Sequence, residues 1–155
     1  MKNCLVIGGG GIGRRHINIL KSLDYKVYLY ELNKVLSNKL IKENYIDEIL
    51  NNFNNIDSFS FKFSIICSPS KTHLEYCKIL TKHKIPFLCE KPFSNNLSGL
   101  DNFNSVLKKS NIKSCVGYPR RSSKGVMKIK NILDSGELGN LRMIKSNFSQ
   151  DFRKY

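Results

Sequence analysis

Four things this 155-residue sequence has little of narrow its function before any motif is read. Its five cysteines, Cys4, Cys67, Cys77, Cys89 and Cys115, form no C-x-x-C pair, which removes the common spacing of a structural zinc site or a dithiol redox motif. Four of them lie in runs that read as buried strands, so reduced core thiols are expected and no metal site is. No apolar stretch approaches the roughly 20 residues of a membrane-spanning helix, and glycines break the N-terminal apolar run within a few residues. A cytoplasmic protein with no membrane partner is expected. Acids are scarce: 12 Asp and Glu against 26 Lys and Arg leave a net charge of +14, and no acid falls between Asn102 and Leu133. Such a surface attracts anions. The basic residues lack interleaved aromatics for base stacking, however, and Lys- and Asn-heavy usage runs through the whole chain. A nucleic-acid partner is therefore disfavoured against a solvated basic face or one that meets a phosphorylated substrate. Histidine is scarcer still, with only His16, His73 and His83.

What is present begins at Cys4-Leu5-Val6-Ile7, an apolar run that passes directly into Gly-x-Gly-x-x-Gly at Gly8, Gly10 and Gly13. Ile12, Ile17, Leu20 and Leu23 then recur at helical spacing. This is the pattern of strand, tight turn and helix. Gly8 turns the chain, Gly10 lets backbone approach a pyrophosphate, and Gly13 lets helix and strand pack closely. The unpaired amides of the helix N-terminus, around Gly11 and Ile12, would face the phosphates. A glycine pattern alone is weak, and it gains weight from an acid at the end of the next strand. Glu31 closes Lys26-Val27-Tyr28-Leu29-Tyr30-Glu31 and supplies that acid.

Further along, Lys34 to Glu43 reads as a helix, and Ile46, Ile49 and Leu50 read as another helical turn. Phe61 to Cys67 reads as a buried strand stopped by Ser68-Pro69, because Pro69 cannot donate a ladder bond. Thr72-x-x-Glu75 reads as a capping box opening a helix through Leu74, Cys77 and Leu80 to about His83, which itself looks exposed. Pro86 to Cys89 is the next strand. A helix with Leu100, Phe103, Val106 and Leu107 on one face follows, then a strand from Lys113 to Gly117. A last helix spans about Lys124 to Ser135 before Gly136, and Leu141 to Phe152 looks extended. Strands alternating with helices predict a Rossmann-like α/β fold, a doubly wound parallel sheet whose ligand lies beyond the C-terminal strand ends. The glycines, Glu31, Ser68-Pro69 and Glu90-Lys91-Pro92 all fall at those ends.

With these residues in hand, the chain resembles the glucose-fructose oxidoreductase / inositol dehydrogenase family, Gfo/Idh/MocA. The match rests on the Gly-x-Gly-x-x-Gly-x-x-His opening that ends at His16, on Cys67-Ser68-Pro69-Ser70-Lys71-Thr72-His73, and on Glu90-Lys91-Pro92. Val116-Gly117-Tyr118 leading to Asp134-Ser135-Gly136-Glu137-Leu138-Gly139 completes it. The resemblance implies NAD(P)-dependent oxidation or reduction of a sugar, nucleotide sugar or cyclitol. It implies Lys91 as the catalytic residue, with Gly8, Gly10, Gly11, Ile12, Gly13, Glu31, Ser68, Pro69, His73, Glu90 and Lys91 around the cofactor. Tyr118 and Arg121 would face the substrate. Pro119 departs from the asparagine often found in the family's Gly-Tyr-Asn-x-Arg. An amine near the nicotinamide can act as base or hydrogen-bond partner when a carbinol carbon loses hydride; without the flanking motif, a surface lysine is the plainer reading of Lys91. The Glu31 carboxylate repels a 2′-phosphate, so NAD is expected over NADP.

Family members run to more than twice this length. The resemblance therefore implies a nucleotide domain at 1–118, and at 119–155 a helix and strand that begin a second domain otherwise missing. The chain would then be part of a longer or split enzyme, or a non-catalytic nucleotide-binding module completed by a partner. An orphan strand in the tail would seek another chain, so a homo-oligomer or partner chain is expected to dock through 140–155.

Overall fold

The computed structural model describes residues 2–147 and 149. Six parallel strands form one sheet in the order β3-β2-β1-β4-β5-β6. They are β1 (Lys2–Ile7), β2 (Tyr25–Tyr30), β3 (Glu48–Ile49), β4 (Phe63–Ile66), β5 (Phe87–Glu90) and β6 (Ser114–Gly117). Between them run α1 (Gly11–Ser22), α2 (Lys34–Lys42), α3 (His73–Lys82) and α4 (Leu100–Ser110). This is the doubly wound Rossmann-like arrangement the alternating pattern predicts. The order reverses between β1 and β4, and there the flanking loops part to leave a crevice.

Successive strand residues face opposite sides of the sheet, so each central strand feeds two cores at once. Cys4, Val6, Val27, Leu29 and Ile65 pack with Ile17 and Leu20 of α1 and Leu40 of α2. Leu5, Ile7, Ile66, Phe87 and Cys89 pack with Cys77 and Leu80 of α3 and Phe103 of α4. The crossovers thus cover both faces of the sheet's centre, and α1 is carried directly over the end of β1.

Several local expectations are corrected by this packing. Residues 46–50 are not a helical turn: Glu48 and Ile49 pair with Tyr28 and Leu29 as the edge strand β3. Ile46 and Leu50 are both buried, so their four-residue spacing imitated a helix. Asp47 settles the conformation, because its amide donates to the Val27 carbonyl at 2.9 Å and its carboxylate accepts from the Val27 amide at 2.7 Å. The capping box is absent too. Thr72 Oγ1 donates to the Pro69 carbonyl and pairs with the Ser68 hydroxyl, both at 2.8 Å, and makes no capping bond to α3. Ile12, Leu23 and Val106 have the periodicity of core residues yet are exposed. Cys115 is exposed because β6 is an edge strand, and Cys67 lies just beyond β4, half-buried. His83 is half-buried and its Nδ1 donates to the Asp57 carboxylate at 2.8 Å, so it is not a bare surface residue.

The chain divides into two compact units, Met1–Gly117 and Tyr118–Tyr155. In the second, a 3-10 turn at Pro119–Ser122 leads to α5 (Lys124–Asp134), whose N-terminus is capped by Ser123 Oγ accepting from the Val126 amide at 3.4 Å. Gly136 follows at φ +73°, the left-handed conformation expected after a helix. The extended tail strand does not appear: residues 141–147 carry no helix or strand, and no described residue beyond Gly117 joins the sheet. A lone segment without a neighbouring strand has nothing to complete its ladder. Met143 and Ile144 are exposed, while Phe148, Phe152, Arg153 and Lys154 lie outside the described residues.

Candidate functional site

The glycine loop after β1 is built by steric exclusion. Gly8 has φ +98°, and a Cβ there would lie 2.7 Å from the Ser68 amide nitrogen, so the loops after β1 and β4 touch backbone to backbone. A Cβ on Gly13 would lie 2.0 Å from the Gly8 carbonyl oxygen, which is how close α1 comes to the turn that precedes it. Gly10 and Gly11 are the opposite case, since a Cβ on either would meet nothing within 4 Å. Helical bonding begins with the Arg14 amide donating to the Gly10 carbonyl at 2.9 Å. The amides of Gly11, Ile12 and Gly13 precede that bond and form the donor end of the helix, where the macrodipole also favours negative charge.

Glu31 follows β2 directly and its carboxylate is held by two backbone amides. Oε2 accepts from Gly9 at 2.8 Å and Oε1 from Asn33 at 2.9 Å. Each oxygen keeps a free lone pair, so the group is fixed yet able to accept further hydrogen bonds. Gly9 is tightly enclosed as well: a Cβ there would lie 3.0 Å from Leu40 Cδ1. Neither Gly9 nor Asn33 was singled out by the glycine pattern, because Gly9 occupies a variable position of it and Asn33 lies outside it. Asn33 could have been found as the residue that caps α2, its side chain accepting from the Leu36 amide at 3.1 Å.

A crevice of about 370 Å³ opens between these loops, walled by Ile7, Tyr30, Leu32, Pro69 and Tyr76 beside Glu31. Its apolar walls suit a flat base, and a fixed carboxylate suits a vicinal diol. The Tyr76 phenol is pushed up to about 12 by burial, with Tyr30 and Glu75 adding to the effect, so it stays neutral. The residues present therefore fit a dinucleotide: open glycines and free amides for the pyrophosphate, and a crevice with an acid for the adenosine.

His73, Glu90 and Lys91 lie at the ends of β4 and β5. His73, only 1% exposed, lies between two loops, with Nε2 2.7 Å from the Ser68 carbonyl and Nδ1 2.8 Å from the Pro92 carbonyl. It is thus enclosed beneath the loops rather than open to a ligand. Burial disfavours a charge on its ring, but the Cys89 sulfur and the two carbonyls outweigh that and raise its pKa above the ordinary 6.5. Cys89 in turn is pulled below the ordinary thiol value by the Cys77 thiol, with His73 assisting and burial opposing. Glu90 ends β5, and its Oε1 pairs with His16 Nε2 at 2.9 Å. Lys91 follows, exposed, and its amide approaches Glu90 Oε2 at 3.4 Å. Tyr118 and Arg121 open the second unit, where the Arg121 amide donates to the Tyr118 carbonyl at 3.0 Å.

Comparisons with known proteins agree with this geometry. Over residues 2–118 the chain matches the model of the GFO_IDH_MocA oxidoreductase family, described as an NAD-binding Rossmann fold. Myo-inositol 2-dehydrogenase of Thermotoga maritima is 29% identical over 150 residues, covering 90% of this chain and 43% of that protein. Glucose-6-phosphate 3-dehydrogenase of Bacillus subtilis is 27% identical, covering 97% of this chain and 43% of its own length. A crystal structure of scyllo-inositol dehydrogenase from Lactobacillus casei, with bound NAD(H) and scyllo-inositol, superposes with a TM-score of 0.79. It is 19% identical, with 90% of this chain and 43% of that one covered. The chain spans less than half the length of these relatives. Among the described residues, no helix is long and apolar enough to cross a membrane. The protein belongs to the Gfo/Idh/MocA oxidoreductase family and carries that family's NAD-binding Rossmann fold.

Proposed function

We propose that this chain is the dinucleotide-binding portion of an NAD-dependent oxidoreductase acting on a hydroxyl or ketone of a sugar, nucleotide sugar or cyclitol. The observation that carries the reading is the Glu31 carboxylate, held by the Gly9 and Asn33 amides at the wall of an apolar crevice beside the glycine loop. A dinucleotide bound there supplies an acceptor or donor for hydride. The amides of Gly11, Ile12 and Gly13 take the pyrophosphate. Glu31 accepts from the adenosine ribose hydroxyls, and a 2′-phosphate in their place would meet its negative charge. Ser68 and Pro69 close the crevice from the β4 side.

Lys91 is the residue we place at the reacting carbon. Its amine is exposed and free to exchange a proton with a substrate hydroxyl, as an acid or base in hydride transfer requires. The dehydrogenase activities of the inositol and glucose-6-phosphate relatives support a polyol or sugar as the class of substrate. Tyr118 and Arg121, which directly follow β6, are the candidates for contacting it.

The test is a calorimetric titration of the chain with NADH and NADPH, wild type against Glu31→Ser. Wild type is expected to bind NADH more tightly, and the variant to lose about tenfold for NADH while gaining relative affinity for NADPH. That loss is what one strong charge-assisted hydrogen bond contributes. Tighter binding of NADPH by the wild type, or binding of neither, would end the proposal.

A further inference from the structure

Lys91 Nζ makes no hydrogen bond or ion pair among the described residues. Whatever aims this side chain must therefore act on the backbone to either side of it, and each side is held by a histidine. On the N-terminal side, the Glu90 carboxylate accepts from His16 Nε2 at 2.9 Å. It also lies so close to β6 that a Cβ on Gly117 would come within 3.3 Å of Glu90 Oε1. On the C-terminal side, the Pro92 carbonyl faces His73 Nδ1 at 2.8 Å. The other His73 nitrogen is 2.7 Å from the Ser68 carbonyl. Carbonyl oxygens only accept, and the ring that donates to both at once is an imidazolium, with the Cys89 sulfur as a further neighbour that stabilises its charge. A neutral ring would turn a lone pair towards one of two enclosed carbonyls.

We propose that His16 and His73 are a pair of positioning residues that bracket Lys91, His16 through the Glu90 carboxylate and His73 through the Pro92 carbonyl. This rests on the reading of Lys91 as the reacting residue. The bracket ties the lysine to both loops of the nucleotide site, because His16 stands on α1, whose first turn is the phosphate-binding end, and His73 also holds the Ser68-Pro69 loop. Fixing α1 at its phosphate end fixes the partner of Glu90, so binding of the dinucleotide and placement of the lysine favour each other.

The experiment uses the full chain, labelled with 15N, and NADH as the probe. In wild type at pH 7.5, long-range 15N spectra are expected to show both His73 ring nitrogens protonated. His16→Leu removes the donor to Glu90 and should displace the Lys91 amide resonance in the cofactor-free protein and weaken NADH binding about tenfold. His16→Gln, which keeps an amide donor, should restore the resonance and bring affinity back to within about twofold of wild type, whereas a merely space-filling histidine would give two similar variants. Glu90→Leu combined with His16→Leu should be no worse than either alone. An unmoved Lys91 resonance in His16→Leu, no rescue by Gln, or an unprotonated His73 nitrogen would overturn the bracket. Should His16→Leu fail to fold, the wild-type ring spectra and the Gln variant still decide. Should wild type bind no NADH, the functional reading fails while the Lys91 resonance still tests the bracket on its own.

Discussion

The acid end and the lysine end of the proposed site are held in different ways. Glu31 is fixed by amides two residues ahead of it and in the glycine loop of the neighbouring strand, through bonds of 2.9 and 2.8 Å. Backbone groups arranged by the turn itself do the holding, so the acid needs only the strand pairing between β1 and β2. The Lys91 segment is held instead by side chains 74 residues before Glu90 and 19 residues before Pro92. That end depends on helices α1 and α3 being docked correctly on the sheet. The difference teaches that changes which misplace the lysine should weaken cofactor binding without abolishing it, whereas damage to the glycine loop removes both.

The largest effect should come from that shared element. Gly13→Ala puts a methyl 2.0 Å from the Gly8 carbonyl oxygen, a backbone atom that cannot step aside, so α1 must lift from β1. A loss on the order of 3 kcal/mol or more in denaturant unfolding is expected, with NADH binding abolished. Gly11→Ala, with nothing within 4 Å of the added carbon, is the control and should leave folding intact. Equal behaviour of the two variants would show that the close approach of α1 does not matter.

The next effect separates the two ends by pH. His73 has a folded pKa raised above 6.5, so its contribution to stability is complete below that value and drains away as pH rises through the folded one. The Cys77 and Cys89 sulfurs beside it belong to the same buried group. His73→Leu should cost about 2–3 kcal/mol near neutral pH, from two carbonyls left without a donor, and should remove this alkaline loss. Urea midpoints measured from pH 6 to 9.5 check it; parallel pH profiles for variant and wild type would contradict it. Affinity for NADH, governed by the Glu31 end, should change less than stability does.

The smallest effect concerns Lys91 itself. Its side chain is exposed and makes no polar contact, so Lys91→Met should alter stability by no more than about 0.5 kcal/mol and NADH affinity by less than about twofold. Thermal unfolding and calorimetry measure both. A large loss of either would mean that the lysine helps to build the site rather than serve the reaction within it.

The fold class was legible because every strand but β3 is a short run rich in β-branched or apolar residues, and two of them stop at residues with a backbone reason to stop them. Gly8 ends β1 and the Ser68-Pro69 dipeptide follows β4, while the helices between show their own period. Errors arose where burial and period disagree. Ile46 and Leu50 are buried at helical spacing but flank an edge strand, and Thr72 had an acid three residues on yet gave its hydroxyl to Ser68 and Pro69. Cys115 and Val106 look like core residues from their neighbours, and only the sheet edge and the outer side of α4 explain their exposure.

By itself, then, the sequence determined the glycine loop and the acid that follows β2, since each is a local demand of backbone geometry or of charge within a few residues, and it marked Glu90-Lys91-Pro92 only through the family resemblance. It could not pair His16 with Glu90, Gly9 with Glu31, or His73 with both Ser68 and Pro92. Those contacts join groups that become neighbours only when parallel strands place their C-terminal ends side by side. Strand order, which no local signal encodes, brings them together.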